Sequence, residues 1–311
     1  MTPARLNRIN YFNVLAMLVS ACLAIAIPFE LFLLSYAILG PAHYLTEISW
    51  LNNRRFFTLR RYDYLLIIAV FAVSLLLRLP SANLVYYTFG LSFILLVIKK
   101  HLYRALAFVL LIAAGYFLLT NNLTRTVFGL YIPTLIHVYL FTGAFLLSGA
   151  LKDKALSGYI AVFFFILCPV LLCFLFPAFH NSPSAWAIAN YGHFSRLNTI
   201  TLRNQALNVY TNQASIILTR LIAFAYTYHY LNWFSKTRVI NWHHIKPLRA
   251  VLISIIWLAS LVLYYYNYRL GIRWLFILSL VHVILEFPLN HHSFIGIGRQ
   301  LTGRRKTPPL V

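Results

Sequence analysis

The stretch "ILGPAHYLTEISWLNNRRFF", residues 38–57, decides how this chain is read. It opens apolar and aromatic, as a membrane span does, and closes on Arg54 and Arg55, as a cytoplasmic flank does. Inside it stand His43 and Glu47, one helical turn apart. On the wet face of a soluble helix that pair would be unremarkable. In hydrocarbon each ionisable group is costly and needs a partner inside the protein.

The rest of the chain makes hydrocarbon the right setting. Its 311 residues are 61% hydrophobic and 10% charged, with a mean hydropathy of +0.76. A soluble domain of this size cannot bury so much apolar surface. The net charge is +21, from 26 Lys and Arg against 5 Asp and Glu. The basic residues fall in short breaks between apolar runs, which sets orientation in a membrane. No soluble segment remains to hold a nucleic acid, so that partner class is set aside. Cys22, Cys168 and Cys173 lie in apolar runs without disulfide or metal spacing and read as small buried hydrophobes. The start, "MTPARLNRINYF", is basic and then apolar, as in an uncleaved first span.

A span needs about 20 mostly apolar residues. The expected fold is an all-α polytopic membrane bundle of ten spans, roughly 11–27, 29–51, 63–80, 82–98, 102–120, 127–149, 157–178, 214–234, 249–267 and 271–289. Residues 1–311 form one membrane domain, with an outer loop or cap at 179–213 and a cytoplasmic tail at 291–311. At Pro28 the chain turns in a tight hairpin or kinks within one long helix. With both termini cytoplasmic, 19 basic residues lie in inner segments and 6 in outer ones, and Arg220 falls within a span.

Of the five acids, Asp63 and Asp153 read as flanks, while Glu30, Glu47 and Glu286 interrupt apolar runs. Of eleven histidines, His43, His137, His229 and His282 lie inside spans. Counted from the span ends at 1.5 Å per residue, all four fall in one layer between mid-membrane and the inner leaflet. Pro41, Pro133 and Pro288 lie close to them or to Glu286, and prolines free carbonyls that need partners within the protein. His43/Glu47 and His282/Glu286 share the i, i+4 spacing, so each pair lies on one helix face.

A neutral imidazole binds a metal through one nitrogen while a neighbour orients the other. Glu47 and Glu286 then orient a histidine of another helix or act as ligands. Three other readings stay open: interhelical hydrogen bonds, a proton relay in a transporter or channel, and bis-histidine haem ligation. A non-catalytic assembly subunit is a further alternative. The chain has no His-Glu-x-x-His, no set of multi-histidine boxes and no Gly-x-Ser-x-Gly elbow. An imidazole-rich mononuclear site suits iron, zinc or copper.

The segments "GPAHYLTE", "IHVYLFTGAF", "TYHYLNWFS" and "LVHVILEF" resemble, in the same order, the histidine motifs of the bacterial membrane β-carotene dioxygenases, the Brp/Blh family. Two positions depart from that pattern. Tyr44 follows the first histidine where the family has Gly, and Trp233 stands at i+4 from His229 where it has a second His. The resemblance implies one Fe2+ held by His43, His137, His229 and His282, with His282 replacing the missing ligand. It implies an oxygenase of a carotenoid, isoprenoid or other lipid drawn from the bilayer, in a bacterial inner membrane. Glu47 and Glu286 would be its catalytic partners.

Overall fold

The computed structural model describes residues 2–54, 81–174, 182–192, 194, 209–236 and 245–303. Among these, all regular structure is helical. The helices are α1 (Pro3–Ala26), α2 (Pro28–Asn53), α3 (Ser81–Val97), α4 (His101–Leu118), α5 (Asn122–Asp153), α6 (Leu156–Phe174), α7 (Ala185–Tyr191), α8 (Gln213–Ser235), α9 (Pro247–Tyr266) and α10 (Tyr268–Leu301). Seven of them, α1, α2, α4, α5, α6, α9 and α10, are long and apolar enough to cross a membrane. The expected spans 82–98 and 214–234 coincide with α3, a shorter apolar helix, and with α8. The expected span 63–80 lies outside the described residues.

Local chemistry sets the ends. Ile27, at φ −139° and ψ 59°, leaves helical geometry, and Pro28 starts α2 in the first turn, where its missing N–H costs nothing. The chain there forms two helices rather than one bent one. Asn121, Asn212 and Asn267 cap α5, α8 and α10, each side-chain oxygen accepting a backbone N–H three residues on, at 2.8, 3.0 and 3.1 Å. Helix α10 runs unbroken past Pro288 to Leu301, so the expected tail from 291 begins as helix. Within the expected cap at 179–213 the described residues include the short helix α7, tied to the bundle where Glu30 Oε1 accepts the Ser184 N–H at 2.6 Å.

Helix α8 is central. It packs against α1, α2, α5 and α6, while α10 packs against α2, α3, α5 and α9. Ala223, Phe224, Tyr228 and Tyr230 of α8 are fully buried. Lipid tails are as apolar as leucine, so helices in a bilayer associate through close packing and polar contacts more than through apolar burial. Polar contacts are present between helices: Ser35 to Thr227 (2.6 Å), the Tyr268 hydroxyl donating to the Leu33 carbonyl (2.8 Å) and Asn10 donating to Ser157 (3.0 Å). Close packing is present too. A Cβ on Gly129 would lie 2.5 Å from the Ala82 carbonyl oxygen.

Candidate metal centre

Two of the four buried histidines are placed by irregular helix turns. In α2, residues Ser35–Leu39 form a π turn, and the Gly40 N–H reaches back to the Ser35 carbonyl. In α5, Val127–Tyr131 and Leu135–Phe141 are π turns, and the second contains His137. A π turn takes up one extra residue, so every side chain after it is rotated about the axis. Prolines accompany both sites: Pro41 follows the first turn and Pro133 lies between the other two. Sequence reading registered the prolines as kinks. The change of hydrogen-bond register is what turns His43 and His137 inward.

The four imidazoles close a ring. Centroid separations are 4.7 Å for His43–His229, 4.9 Å for His229–His137, 4.7 Å for His137–His282 and 5.4 Å for His282–His43. Adjacent planes meet at 70–75°. These rings come from α2, α8, α5 and α10, so one point in the bundle gathers four helices. None of the four histidines is more than 6% exposed, and Glu47 and Glu286 are each 2% exposed.

Hydrogen bonds orient two of the rings. His282 Nδ1 lies 2.8 Å from the Ser279 carbonyl. A carbonyl only accepts, so Nδ1 carries the proton and Nε2 of the neutral ring keeps its lone pair. His229 Nδ1 lies 2.8 Å from Thr142 Oγ1. His229 Nε2, His282 Nε2 and both ring nitrogens of His43 and His137 have no hydrogen-bond partner, although all are buried. Buried polar nitrogens without partners are costly and call for an explanation. A shared cation supplies one.

The donor geometry fits an ion. His43, His229 and His282 each offer a nitrogen, all within 4.8 Å of one another, and His137, His282 and Glu286 form a second such group. Ligand atoms on one ion at about 2.1 Å lie roughly 3–4 Å apart, a small side-chain rotation from this arrangement. The two groups share His282, whose single free nitrogen cannot serve two ions, so the chemistry is that of one centre. A haem is a poor fit, because in a ring of four imidazoles any two occupy the space a macrocycle between the other pair would need.

The carboxylates divide their roles. Glu286 Oε2 lies 3.1 Å from His137 Nδ1, across from α10 to α5. Glu47 was expected to reach a histidine on another helix. Instead its Oε2 lies 3.1 Å from Nε2 of its own neighbour His43. Neither contact has the alignment of a hydrogen bond, and 3.1 Å is a separation that two ligands of one ion adopt. Glu30, the third acid in an apolar run, lies at the start of α2 on the α7 contact and takes no part in the centre.

Two wall residues are marked in the sequence only as departures from the resembled motif, with nothing there to show what they touch. Tyr44 stacks on His282, with centroids 4.2 Å apart and planes at 24°. The Trp233 indole donates to Thr46 Oγ1 at 2.8 Å, and its ring lies 5.7 Å from that of His43. Trp233, one turn after His229, therefore lines the ring of imidazoles as a wall. Comparison of the chain with family models, with curated proteins and with solved structures gave no match.

Proposed function

We propose that this protein is a membrane-embedded, histidine-ligated oxygenase that holds one ferrous ion and oxidises an apolar carotenoid, isoprenoid or other lipid taken from the bilayer. The observation that carries the reading is the ring of four buried imidazoles with nitrogens that have no hydrogen-bond partner. Four imidazoles would close a tetrahedral zinc site. Iron accepts further ligands, which leaves positions for dioxygen or a carboxylate. The ion would supply dioxygen activation, and the protein does the rest. Its histidines hold the ion, Glu286 and Glu47 fix ring orientation and local charge, and Tyr44, Trp233 and Phe141 keep bulk water away. The depth of the centre within apolar helices suits a substrate that never leaves the lipid. On the same reading both termini face the cytoplasm of a bacterial cell and the chain crosses its inner membrane ten times.

Purified full-length protein, assayed for transition metals and then for oxygen uptake with a panel of carotenoids and isoprenoids, tests this. Near-stoichiometric iron and substrate-dependent uptake are expected. Protein that stays metal-free after anaerobic reconstitution sinks the reading, and pH-dependent proton flux in liposomes would then favour a relay through the His–Glu pairs.

A further inference from the structure

Taking the centre as the metal site proposed above, we propose that its ion enters from the C-terminal end of α10 along one face of that helix, with the Asn290 amide as a transient oxygen ligand on the way. A centre whose four histidines are at most 6% exposed needs an entry route. Helix α10 begins at the α7 end of the bundle. There the Tyr268 hydroxyl donates to the Leu33 carbonyl, and the Tyr268 ring lies 6.1 Å from that of Trp186. The helix then runs past His282 to Leu301 at the other end.

The two directions from His282 differ. Four and seven residues before it, on the same face, stand Leu278 and Leu275, both buried. In the other direction Glu286 follows at four, Asn290 at eight and Ser293 at eleven. Spacings of three and four make successive side chains neighbours, with Cβ atoms about 5–6 Å apart. From His282 to Ser293 the helix rises about 16 Å.

Asn290 is the residue that packing does not explain. It is 1% exposed, and among the described residues neither its Oδ1 nor its Nδ2 has a hydrogen-bond partner. Leucine fills nearly the same space without burying an amide. Phe287 packs on Phe89 of α3 at 5.4 Å, and Ile284 packs on Leu91, which sets Ser92 of α3 at the level of this segment. Ser92 is fully buried too, and among the described residues its hydroxyl has no hydrogen-bond partner. Neutral oxygens hold a divalent transition ion weakly, whereas imidazoles hold it tightly. An ion therefore passes Asn290 and stops at the ring. Glu286, with one carboxylate oxygen 3.1 Å from His137, receives it at the edge of the centre. At the outer end Ser293 and His291 are partly exposed and His292 is exposed. The two imidazoles, with centroids 6.2 Å apart, stand where an aqueous ion first meets the helix.

The test follows Co2+, whose visible absorption reports imidazole ligation, into purified metal-free full-length protein. A side chain on the route changes a barrier. It therefore alters the rates of loading and of stripping by EDTA equally and leaves the affinity alone. Asn290→Leu should slow both rates at least tenfold at wild-type affinity. Asn290→Gln keeps the amide and should restore most of the rate. Wild-type rates in Asn290→Leu, equally slow rates in Asn290→Gln, or a weakened affinity overturns the route and leaves the centre standing. In sealed liposomes, with orientation read by protease cleavage of a C-terminal tag, wild type should load from the side that carries the end of α10. Loading from the α7 side overturns the route even where Asn290→Leu does not fold. Wild type that binds no Co2+ overturns the route and the centre together.

Discussion

Helices α4 and α8 are of similar length and opposite character. The apolar stretch of α4 has a mean hydropathy of 1.7, yet only 6% of it is buried within the protein. Helix α8 carries Arg220, His229, Asn232 and three tyrosines, and it is buried on nearly every side. The other core helix, α2, is 67% buried at a hydropathy of only 1.2. In a soluble protein the most apolar helix goes to the middle. In a membrane the order reverses: a helix that faces lipid must be apolar, while a helix surrounded by protein is free to be polar. Polarity within a span therefore locates the interior, and that interior holds the histidine ring.

The strongest way to break this contrast is at His282, which belongs to both donor groups. His282→Ala should abolish metal binding, measured by metal analysis of purified protein. Membrane insertion should survive, because it is set by the hydrophobicity of the spans. Retention of a full equivalent of metal would make the ring a purely structural contact.

The carboxylates come next. Glu286→Gln keeps the shape and removes the charge beside His137, and a loss of metal affinity of roughly 10–100-fold is expected in a competition titration. Glu47→Gln should fall in the same range. Among the described residues its ion-pair contact is with the histidine of its own helix, so its loss should leave the Glu286–His137 contact between α10 and α5 intact. Equal affinity in wild type and both variants would remove the carboxylates from the centre.

Much of this was legible in the sequence, and for one reason. An ionisable residue in an apolar run is conspicuous, so His43, His137, His229, His282, Glu47 and Glu286 could be found one by one, and depth along each span predicted that they share a layer. What could not be read was rotation. The π turns at Ser35–Leu39 and Leu135–Phe141 shift the face of the helix by one residue. That shift depends on tertiary packing rather than on any residue type. The same ignorance produced the wrong partner for Glu47. It also hid what Tyr44 touches: the sequence marks that residue only as a departure from the resembled motif, and its stacking on His282 depends on the rotation of α2. The break at Ile27 was anticipated only as an ambiguity, because Pro28 suits both the first turn of a new helix and a kink in an old one.

A smaller effect is expected where packing is close but the centre is distant. At Gly129, on α5, an added methyl would meet the backbone of Ala82 on α3, and a backbone cannot rotate away. Gly129→Ala should cost about 1–3 kcal/mol through helix displacement. It should lower the thermal midpoint in detergent while metal content stays at the wild-type level.

The smallest effect belongs to α4, and its smallness is informative. Leu110 is 69% exposed, and its neighbours on the helix, Val109 and Ile112, are exposed as well. If these side chains meet lipid, Leu110→Ala exchanges one apolar surface for another against apolar surroundings. No cavity is created, since acyl chains close the gap, and the change in stability should stay within about 0.5 kcal/mol. If a second copy or another membrane protein covers α4, the same substitution opens a hole in a packed interface. The cost then rises towards the 2–5 kcal/mol typical of buried leucine truncation. Thermal unfolding of Leu110→Ala at several protein concentrations separates the two. An unchanged midpoint keeps α4 as the lipid-facing counterpart of α8. A lowered and concentration-dependent midpoint would mean that α4, like α8, owes its place to protein neighbours.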